Sequence, residues 1–295
     1  MADFNISENY EEEIKTEKRR NKLIPIVIVV VSALFVGLLV FLISSLIISN
    51  NKEKKEKEKT TEEVSKVSLN DSTVKKLYKS VTYEAGPKYY NKFIKEESVT
   101  LDTFNNREKY YYALQFAKSS DFIDTNNKDE NNKKIYLLPE DKLKHYMREF
   151  FGNSVTYDQN EVIVCEFSFD MPEGSQGTLK YLNNSNGYNT TFTNGDGTVP
   201  TKNHYSKLVS AEKNNTKLIL KEKIVYINII NNGNIYDIEI YNDYNKTRLL
   251  ETIKNVSDLD NAVDIENYID RASTITYTFK ENKGNYYFVS SKITN

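Results

Sequence analysis

Few side chains of this sequence have the types needed for nucleophilic chemistry. Among the 295 residues there are two histidines, His145 and His204, and a single cysteine, Cys165. His204 lies two residues before Ser206, so the imidazole could serve as a base for a hydroxyl nucleophile. No nucleophile-elbow motif surrounds Ser206, and the apolar residues around Cys165 are typical of a core thiol. We therefore predict no catalytic residue among them.

Paired carboxylates are the remaining route to catalysis, because two Asp or Glu side chains can cleave a glycosidic bond by acid–base chemistry. The sequence holds 42 acidic residues, so spacing alone singles out no pair. Asp258, Asp260 and Asp264 lie close together, but acids near a helix start are expected from the helix dipole alone. An extracytoplasmic carboxylate-dependent hydrolase therefore remains the alternative to a non-enzymatic role.

Composition disfavours metal, cofactor and nucleic-acid sites. Two histidines and one cysteine are too few for the common zinc and iron–sulfur sites. Residues 194–198 read NGDGT, which lacks the lysine of a phosphate-binding loop and the spaced acids of a calcium loop, and so predicts a turn. A formal net charge of −2 gives no electrostatic case for nucleic acid. We predict no metal, no cofactor and no nucleic-acid partner.

A segment that mixes aromatic and polar residues is the best candidate for recognition. Residues 180–202 are rich in Asn, Gly and Thr and contain Tyr181, Tyr188 and Phe192. This composition predicts a long surface loop whose aromatic side chains can stack on a sugar or contact a protein. We therefore predict Tyr181, Tyr188 and Phe192 as partner-binding residues. The alternative is a surface loop that reflects AT-rich codon usage and binds nothing.

The elements that must position these residues begin with a membrane anchor. Residues 23–48 contain no charged side chain, and a helix of that length, at roughly 1.5 Å per residue, exceeds the ~30 Å hydrocarbon core of a bilayer. The apolar run is also too long for a cleaved signal peptide. We predict an uncleaved transmembrane helix over 23–48, after a short cytoplasmic tail (1–22) and before a charged linker (49–63).

The orientation of this anchor rests on its flanking charges. As many Lys and Arg residues follow the apolar segment as precede it, so the positive-inside rule gives a tie. A short tail before a long apolar helix is typical of a signal anchor, and moving Lys18–Arg20 across the bilayer would be unfavourable. We predict a single-pass protein of the bacterial cell membrane, with its N-terminus cytoplasmic and its C-terminal domain extracytoplasmic. The reversed topology is the alternative.

Beyond the linker, residues 64–295 are predicted to form an α+β domain. Apolar residues recur at helical spacing over 74–81, 107–118 and 139–151, whereas the alternation of strands dominates after residue 161. The expected fold is an early helical layer packed on a mostly antiparallel curved sheet. Four further predictions complete it: a polar loop over 122–134, a bulge near 221–223, a hairpin turn over 231–234 and one late helix after Ser257.

These features predict a membrane-anchored envelope protein whose ectodomain has a binding or structural role. Residues 23–48 contact the lipid bilayer, and a protein or a cell-wall polymer is the expected further partner. The tail of about 22 residues is too short to form a signalling domain of its own.

Overall fold

The computed structural model describes residues 64–82, 91–166, 175–195, 202–259 and 262–295. These residues belong to one compact unit, Glu63–Asn295. The predicted transmembrane helix over 23–48, with its tail and linker, lies outside the described residues. Within the described ranges, no helix is both long enough and apolar enough to span a membrane.

The described part of the chain contains four α-helices, all before residue 152. They are α1 (Ser72–Val81), α2 (Lys92–Lys95), α3 (Asn106–Leu114) and α4 (Glu140–Phe151). The Asp71 carboxylate accepts hydrogen bonds from the first-turn N–H groups of Thr73 and Val74, so it caps α1. The helical spacing seen in the sequence is confirmed for α1, α3 and α4, although α3 ends four residues before the predicted Lys118.

The strands of the described ranges form two open antiparallel sheets. In chain order they are β1 (Val64–Lys66), β2 (Ser98–Thr100), β3 (Ile123–Lys128), β4 (Lys134–Pro139), β5 (Ile163–Glu166), β6 (Gln176–Leu182), β7 (Gly187–Thr193), β8 (His204–Asn214), β9 (Lys217–Asn231), β10 (Tyr236–Tyr241), β11 (Leu249–Val256), β12 (Ser273–Asn282) and β13 (Asn285–Thr294). The predicted α+β class with mostly antiparallel sheet is confirmed at this level.

The larger sheet, which we call sheet A, has the order β1-β8-β9-β12-β13-β2. Strand β9 is a central strand of sheet A. Its first half pairs with β12, and its second half pairs with β10, which in turn pairs with β11. The smaller sheet, sheet B, has the order β3-β4-β7-β6-β5. The predicted hairpin turn over 231–234 is confirmed by the β9–β10 pairing and by Gly233 at φ +94°.

The main core lies where α3 and α4 contact both sheets. Phe150 of α4 stacks on Phe288 of β13 in sheet A, with ring centroids 5.6 Å apart. Tyr110 of α3 meets Tyr188 of β7 in sheet B edge to face, at 6.0 Å. The two helices therefore contact two sheets, whereas the sequence predicted a single sheet.

The second sheet arises partly from a segment with the composition of a loop. Strand β3 and the start of β4 occupy the predicted polar loop over 122–134, so that prediction is wrong. Strand β3 lies at the edge of sheet B and is almost wholly exposed, so its Asp and Asn side chains remain in water. An exposed edge strand needs no apolar alternation, which is why composition indicated a loop.

Strand β9 explains a change of apolar parity between residues 216 and 230. It runs unbroken from Lys217 to Asn231, so the bulge predicted near 221–223 is wrong for this strand. Its first half buries one face in the main core, and Val225 and Ile227 belong to a separate core on the other face. Both faces of one regular strand are thus covered, over different parts of its length. The register shift lies on β8 instead, between Leu208 and Ser210.

The prediction of a late helix after Ser257 is also wrong, because the helical segment is much shorter than predicted. Within the described residues of that region, the helical structure is one short 3-10 turn, Ile265–Tyr268. Tyr268 and the neighbouring Val263 and Ala272 pack on the separate core that contains Val225 and Ile227. The segment covers the sheet by an irregular path.

Candidate functional site

The three aromatic residues predicted to bind a partner lie in strands, not in a loop. Tyr181 is in β6 and pairs directly with Tyr188 in β7, and Phe192 is in the same strand as Tyr188. The Tyr188 side chain is 0% exposed, and the Phe192 ring contacts the ring of Phe122 at 5.3 Å. The predicted exposed aromatic loop is therefore wrong, and whether this region binds a partner remains a prediction.

Hydrogen bonds connect the two tyrosines of this set, Tyr181 and Tyr188, to the helices. The Tyr110 hydroxyl donates to the Tyr188 hydroxyl at 3.2 Å, and Tyr181 donates to Oε2 of Glu140 at 3.0 Å. Glu140 also pairs with Lys144 and accepts a hydrogen bond from Gln159, and these contacts lower the pKa of its carboxyl group. The cluster joins α3 and the start of α4 to sheet B, and it keeps Glu140 ionised.

The two histidines differ in exposure and in their surroundings. His145 is exposed on α4, with its Nε2 3.7 Å from Oε1 of Glu149. His204 begins β8, and burial, with Lys202 nearby, lowers its pKa to about 4, so its imidazole is neutral at pH 7. The Ser206 hydroxyl hydrogen-bonds to the Glu222 carboxyl group, so the structure gives Ser206 a carboxylate partner.

Cys165 lies in the core of sheet B, and burial, followed by the charge of Glu166, raises the pKa of its thiol. A thiol with a raised pKa holds its proton at neutral pH and is a poor nucleophile. Within the described ranges, no group of three or more His, Cys, Asp or Glu side chains is arranged to hold a metal ion.

Glu222 is a buried carboxyl group in the middle of β9. Its side chain accepts hydrogen bonds from Tyr78 Oη of α1 at 2.7 Å and Tyr277 Oη of β12 at 2.6 Å, and the residue is 1% exposed. Burial raises its pKa, and the hydrogen bonds from Ser206, Tyr277 and Tyr78 oppose that rise in part. A raised carboxyl pKa is a feature that general acids share. Here the carboxyl group is enclosed between a helix and the sheet.

Two clefts flank the C-terminal end of α4. One has a volume of about 240 Å³ and is lined by Asp102, Lys109, Phe151 and Thr156, among others. The other has a volume of about 230 Å³, and its lining includes His145, Arg148, Lys283 and Tyr287. Neither cleft is lined by Glu222 or by the three predicted aromatic residues.

The outer face of sheet A, opposite the main core, is strongly basic. Seven lysines project from it in the described strands: Lys66, Lys207, Lys217, Lys221, Lys223, Lys280 and Lys292. We call this set the lysine face. The register shows the shared orientation, because these positions alternate with core residues along each strand. Across strands they pair with one another, with Thr, Ser, Asn or Tyr, or, in the case of Lys66, with Glu212. Thr276, for example, lies between Lys221 and Lys292.

Like charges oppose each other directly at two places on the lysine face. Lys207 pairs with Lys223, and Lys217 pairs with Lys280. Like-charged cross-strand pairs destabilise a sheet, by an amount on the order of 0.2–1 kcal/mol each. Glu266 offsets part of this cost through an ion pair with Lys207, and Lys221 contacts Glu212 at 3.2 Å.

Five lysines of this face make no ion pair with a described residue: Lys66, Lys217, Lys223, Lys280 and Lys292. Lys217, Lys280 and Lys292 are all exposed. A lysine ammonium group is a compact charge that suits phosphate and carboxylate oxygens, and the neighbouring Thr and Ser hydroxyls can donate further hydrogen bonds to the same oxygens. The arrangement can therefore bind an extended anionic surface.

The sequence carried one local signal for this face. In Lys217–Lys223, which reads KLILKEK, lysines at positions 217, 221 and 223 alternate in parity with Leu218 and Leu220. That pattern predicts a basic outer face on one strand. The remaining lysines join it only through strand pairing.

Comparison with known proteins gives no match: no protein-family model, no curated protein and no solved structure is significantly similar to this chain.

Proposed function

We propose that this chain is a single-pass, membrane-anchored protein of the bacterial envelope whose C-terminal domain binds a partner or forms a structural part of a membrane complex. In this proposal residues 23–48 are the transmembrane helix, the N-terminal tail is cytoplasmic and the domain is extracytoplasmic. The proposed order along the chain is a transmembrane helix, a charged linker and the α+β domain, whose α-helices precede most of its strands.

The lysine face is the observation that carries the binding role. Five of its lysines are exposed and two are half-buried, they stand opposite one another in two cross-strand pairs, and several have no acidic partner among the described residues. A sheet selected only for stability would place acids opposite all of these lysines, as Glu212 lies opposite Lys66. Retaining the repulsion is expected where the positive charge itself is used for contact.

A carboxylate-dependent hydrolase is the alternative, and Glu222 is the residue that favours it. Its raised pKa is what a general acid requires. A general acid must also reach the atom that it protonates, however. The oxygens of Glu222 are occupied by Tyr78, Tyr277 and Ser206, and the residue is 1% exposed. These contacts support a structural role for Glu222.

Protease added to intact, wall-stripped cells should remove the domain over 64–295. This result is expected because an uncharged segment long enough to cross the bilayer precedes it, and the basic block Lys18–Arg20 favours a cytoplasmic tail. Immunoblotting for an N-terminal and a C-terminal tag measures which part survives. Cleavage of the domain only after lysis would reverse the topology.

Replacing Lys217, Lys280 and Lys292 together by glutamine should abolish the cellular function while the protein still accumulates. These lysines are exposed and unpaired with described acids, so the change removes positive charge from the outer face of sheet A without opening the core. A matched control replaces Lys128, Lys133 and Lys180, which are exposed residues of sheet B and its turns, in the same way. The control should keep the function.

The double change His145→Gln and His204→Gln tests the alternative in the same cells. A binding role predicts that this variant remains functional, because such a role needs no imidazole base. Loss of function in an abundant, folded histidine variant would favour catalysis instead.

A further inference from the structure

We propose that the lysine face docks on the acidic phospholipid headgroups of the bilayer that anchors the chain, so that the domain lies with the outer face of sheet A against the membrane. This inference rests on the proposed function, because it takes the anchored chain as its starting point. It adds a second membrane contact, formed by a folded sheet rather than by the apolar segment 23–48.

The shape of the lysine face fits a flat anionic surface better than a linear anionic polymer. Its lysines lie on five strands, β1, β8, β9, β12 and β13, which at about 4.8 Å between neighbours span roughly 20 Å. Along β9 they extend from Lys217 to Lys223, or about 20 Å at roughly 3.3 Å per residue. A linear polymer would follow one row of this array. A flat layer of headgroups can contact all rows at once.

The chemistry of the face fits phosphodiester groups. Lysine ammonium groups near an anionic membrane surface are each attracted to it, and the attractions of several lysines add together. Thr276, Thr278 and Ser290 lie between the lysines on the same face and can donate hydrogen bonds to phosphate oxygens. A folded protein partner is less well matched, because protein interfaces are depleted in lysine and enriched in aromatic residues.

In the proposed topology the length of the linker keeps this face within reach of the bilayer. The described domain begins at β1, an edge strand of sheet A, and Lys66 in that strand belongs to the lysine face. The predicted linker over 49–63 is about 15 residues long and spans at most ~50 Å when extended. Such a short tether gives an effective concentration on the order of millimolar, so a weak attraction per lysine is enough.

The test uses the full chain reconstituted into vesicles of phosphatidylcholine alone, or of phosphatidylcholine with about 30% phosphatidylglycerol. A membrane-impermeant reagent acylates exposed lysines, and mass spectrometry gives the rate at each position. Acylation of Lys217, Lys280 and Lys292 should slow at least threefold in the acidic vesicles and recover at high salt, because salt screens the attraction. Lys128, Lys133 and Lys180 should react equally in both lipids.

A charge-reversal variant sharpens the test. In Lys217→Glu, Lys280→Glu, Lys292→Glu, the remaining lysines Lys66 and Lys223 should lose their protection in acidic vesicles. The control Lys128→Glu, Lys133→Glu, Lys180→Glu should keep it. Thermal unfolding of each variant shows whether the fold is retained, and the positional comparison within the wild-type chain does not depend on any variant.

Several outcomes would overturn the inference. Equal acylation of the lysine face in both lipids is one, and equal protection of the control lysines on sheet B is another. Protection by soluble polyphosphate, with none from acidic vesicles, would assign the face to a polymer. Flotation separates this inference from the proposed function: a chain that floats with both vesicles but shows no protection contradicts only the docking, whereas a chain that floats with neither contradicts the anchor as well.

Discussion

Replacing Phe150 by alanine should destabilise the C-terminal domain by about 3–5 kcal/mol. Phe150 is 2% exposed, and its ring lies stacked between Tyr112, with centroids 5.1 Å apart, and Phe288, at 5.6 Å. Tyr112 belongs to α3 and Phe288 to β13, so the ring joins two helices to sheet A. Removing it leaves a cavity where three elements meet, and rigid sheet on one side prevents collapse into that space.

The measurement is urea unfolding of the full chain in neutral micelles, followed by near-ultraviolet circular dichroism of the tyrosines, because the chain contains no tryptophan. Phe150→Leu is the matched variant: it keeps most of the apolar volume and should cost clearly less than the alanine change. Equally small costs for both variants would show that this face of α4 is not part of a tightly packed core.

Helices were the part of this fold that the sequence predicted best. In α4, apolar residues at helical spacing all turn inward, from Leu143 to Phe151, and Gly152 ends the helix at φ +78°. Such a stripe identifies both the element and its buried face, because few other structures accommodate that period. Strand pairing is harder to predict from the sequence. It joins residues far apart in the chain, and no local period shows which strands are neighbours.

Sheet B shows how composition misled the prediction of a binding loop. Asn189 and Thr191 project to the outer face of β7, while Tyr188, Thr190 and Phe192 project inward. Read as composition, the segment is polar. Read as alternation, it has one polar and one aromatic face, which is the pattern of a half-buried strand. The aromatic area that the sequence assigned to a partner is in large part used by the core.

The lysine face is not apparent from the amino-acid sequence for a related reason. The whole chain has 40 basic and 42 acidic residues, so net charge gave no sign of a basic surface. Lys66 and Lys292 share one sheet only because β1 pairs with β8 on one side of it and β13 pairs with β12 on the other. Strand pairing gathers these lysines on one face of the sheet. The net charge of the chain is close to zero and therefore does not show that positive charge is concentrated there.

Glu222 was visible in the sequence as a single acid on an apolar face. It shares the parity of Leu218, Leu220 and Ile224, all of which are buried in β9. The sequence could not show that Tyr78 and Tyr277 would supply hydroxyl donors to it, since these residues come from α1 and β12. Without those partners, burial of a carboxyl group at this position would be prohibitive.

The burial of Glu222 predicts an unusual dependence of stability on pH. Its pKa in the folded domain is raised above the ordinary value of 4.5, because burial disfavours the charged form. Below about pH 4.5 the group is protonated in both the folded and the unfolded chain, so its contribution to stability is fully present and does not vary with pH. As pH rises from about 4.5 through the folded-state pKa, the unfolded chain releases its proton first, so this contribution is lost, at up to about 1.4 kcal/mol per pH unit.

Glu222→Gln should therefore stabilise the domain at neutral pH, and the gain over the wild type should grow as pH rises from about 4.5. The glutamine amide can accept a hydrogen bond from Tyr277 and donate one to the Tyr78 oxygen, so the core keeps its partners without a charge. Urea unfolding of both proteins at several pH values measures the difference, in which the titrations of other groups cancel. Glu130→Gln, in the exposed β3–β4 turn, controls for the loss of one negative charge.

A stability difference between Glu222→Gln and the wild type that stays constant with pH would show that Glu222 ionises in the core as readily as in the unfolded chain. In that case Tyr78, Tyr277 and Ser206 would outweigh the effect of burial.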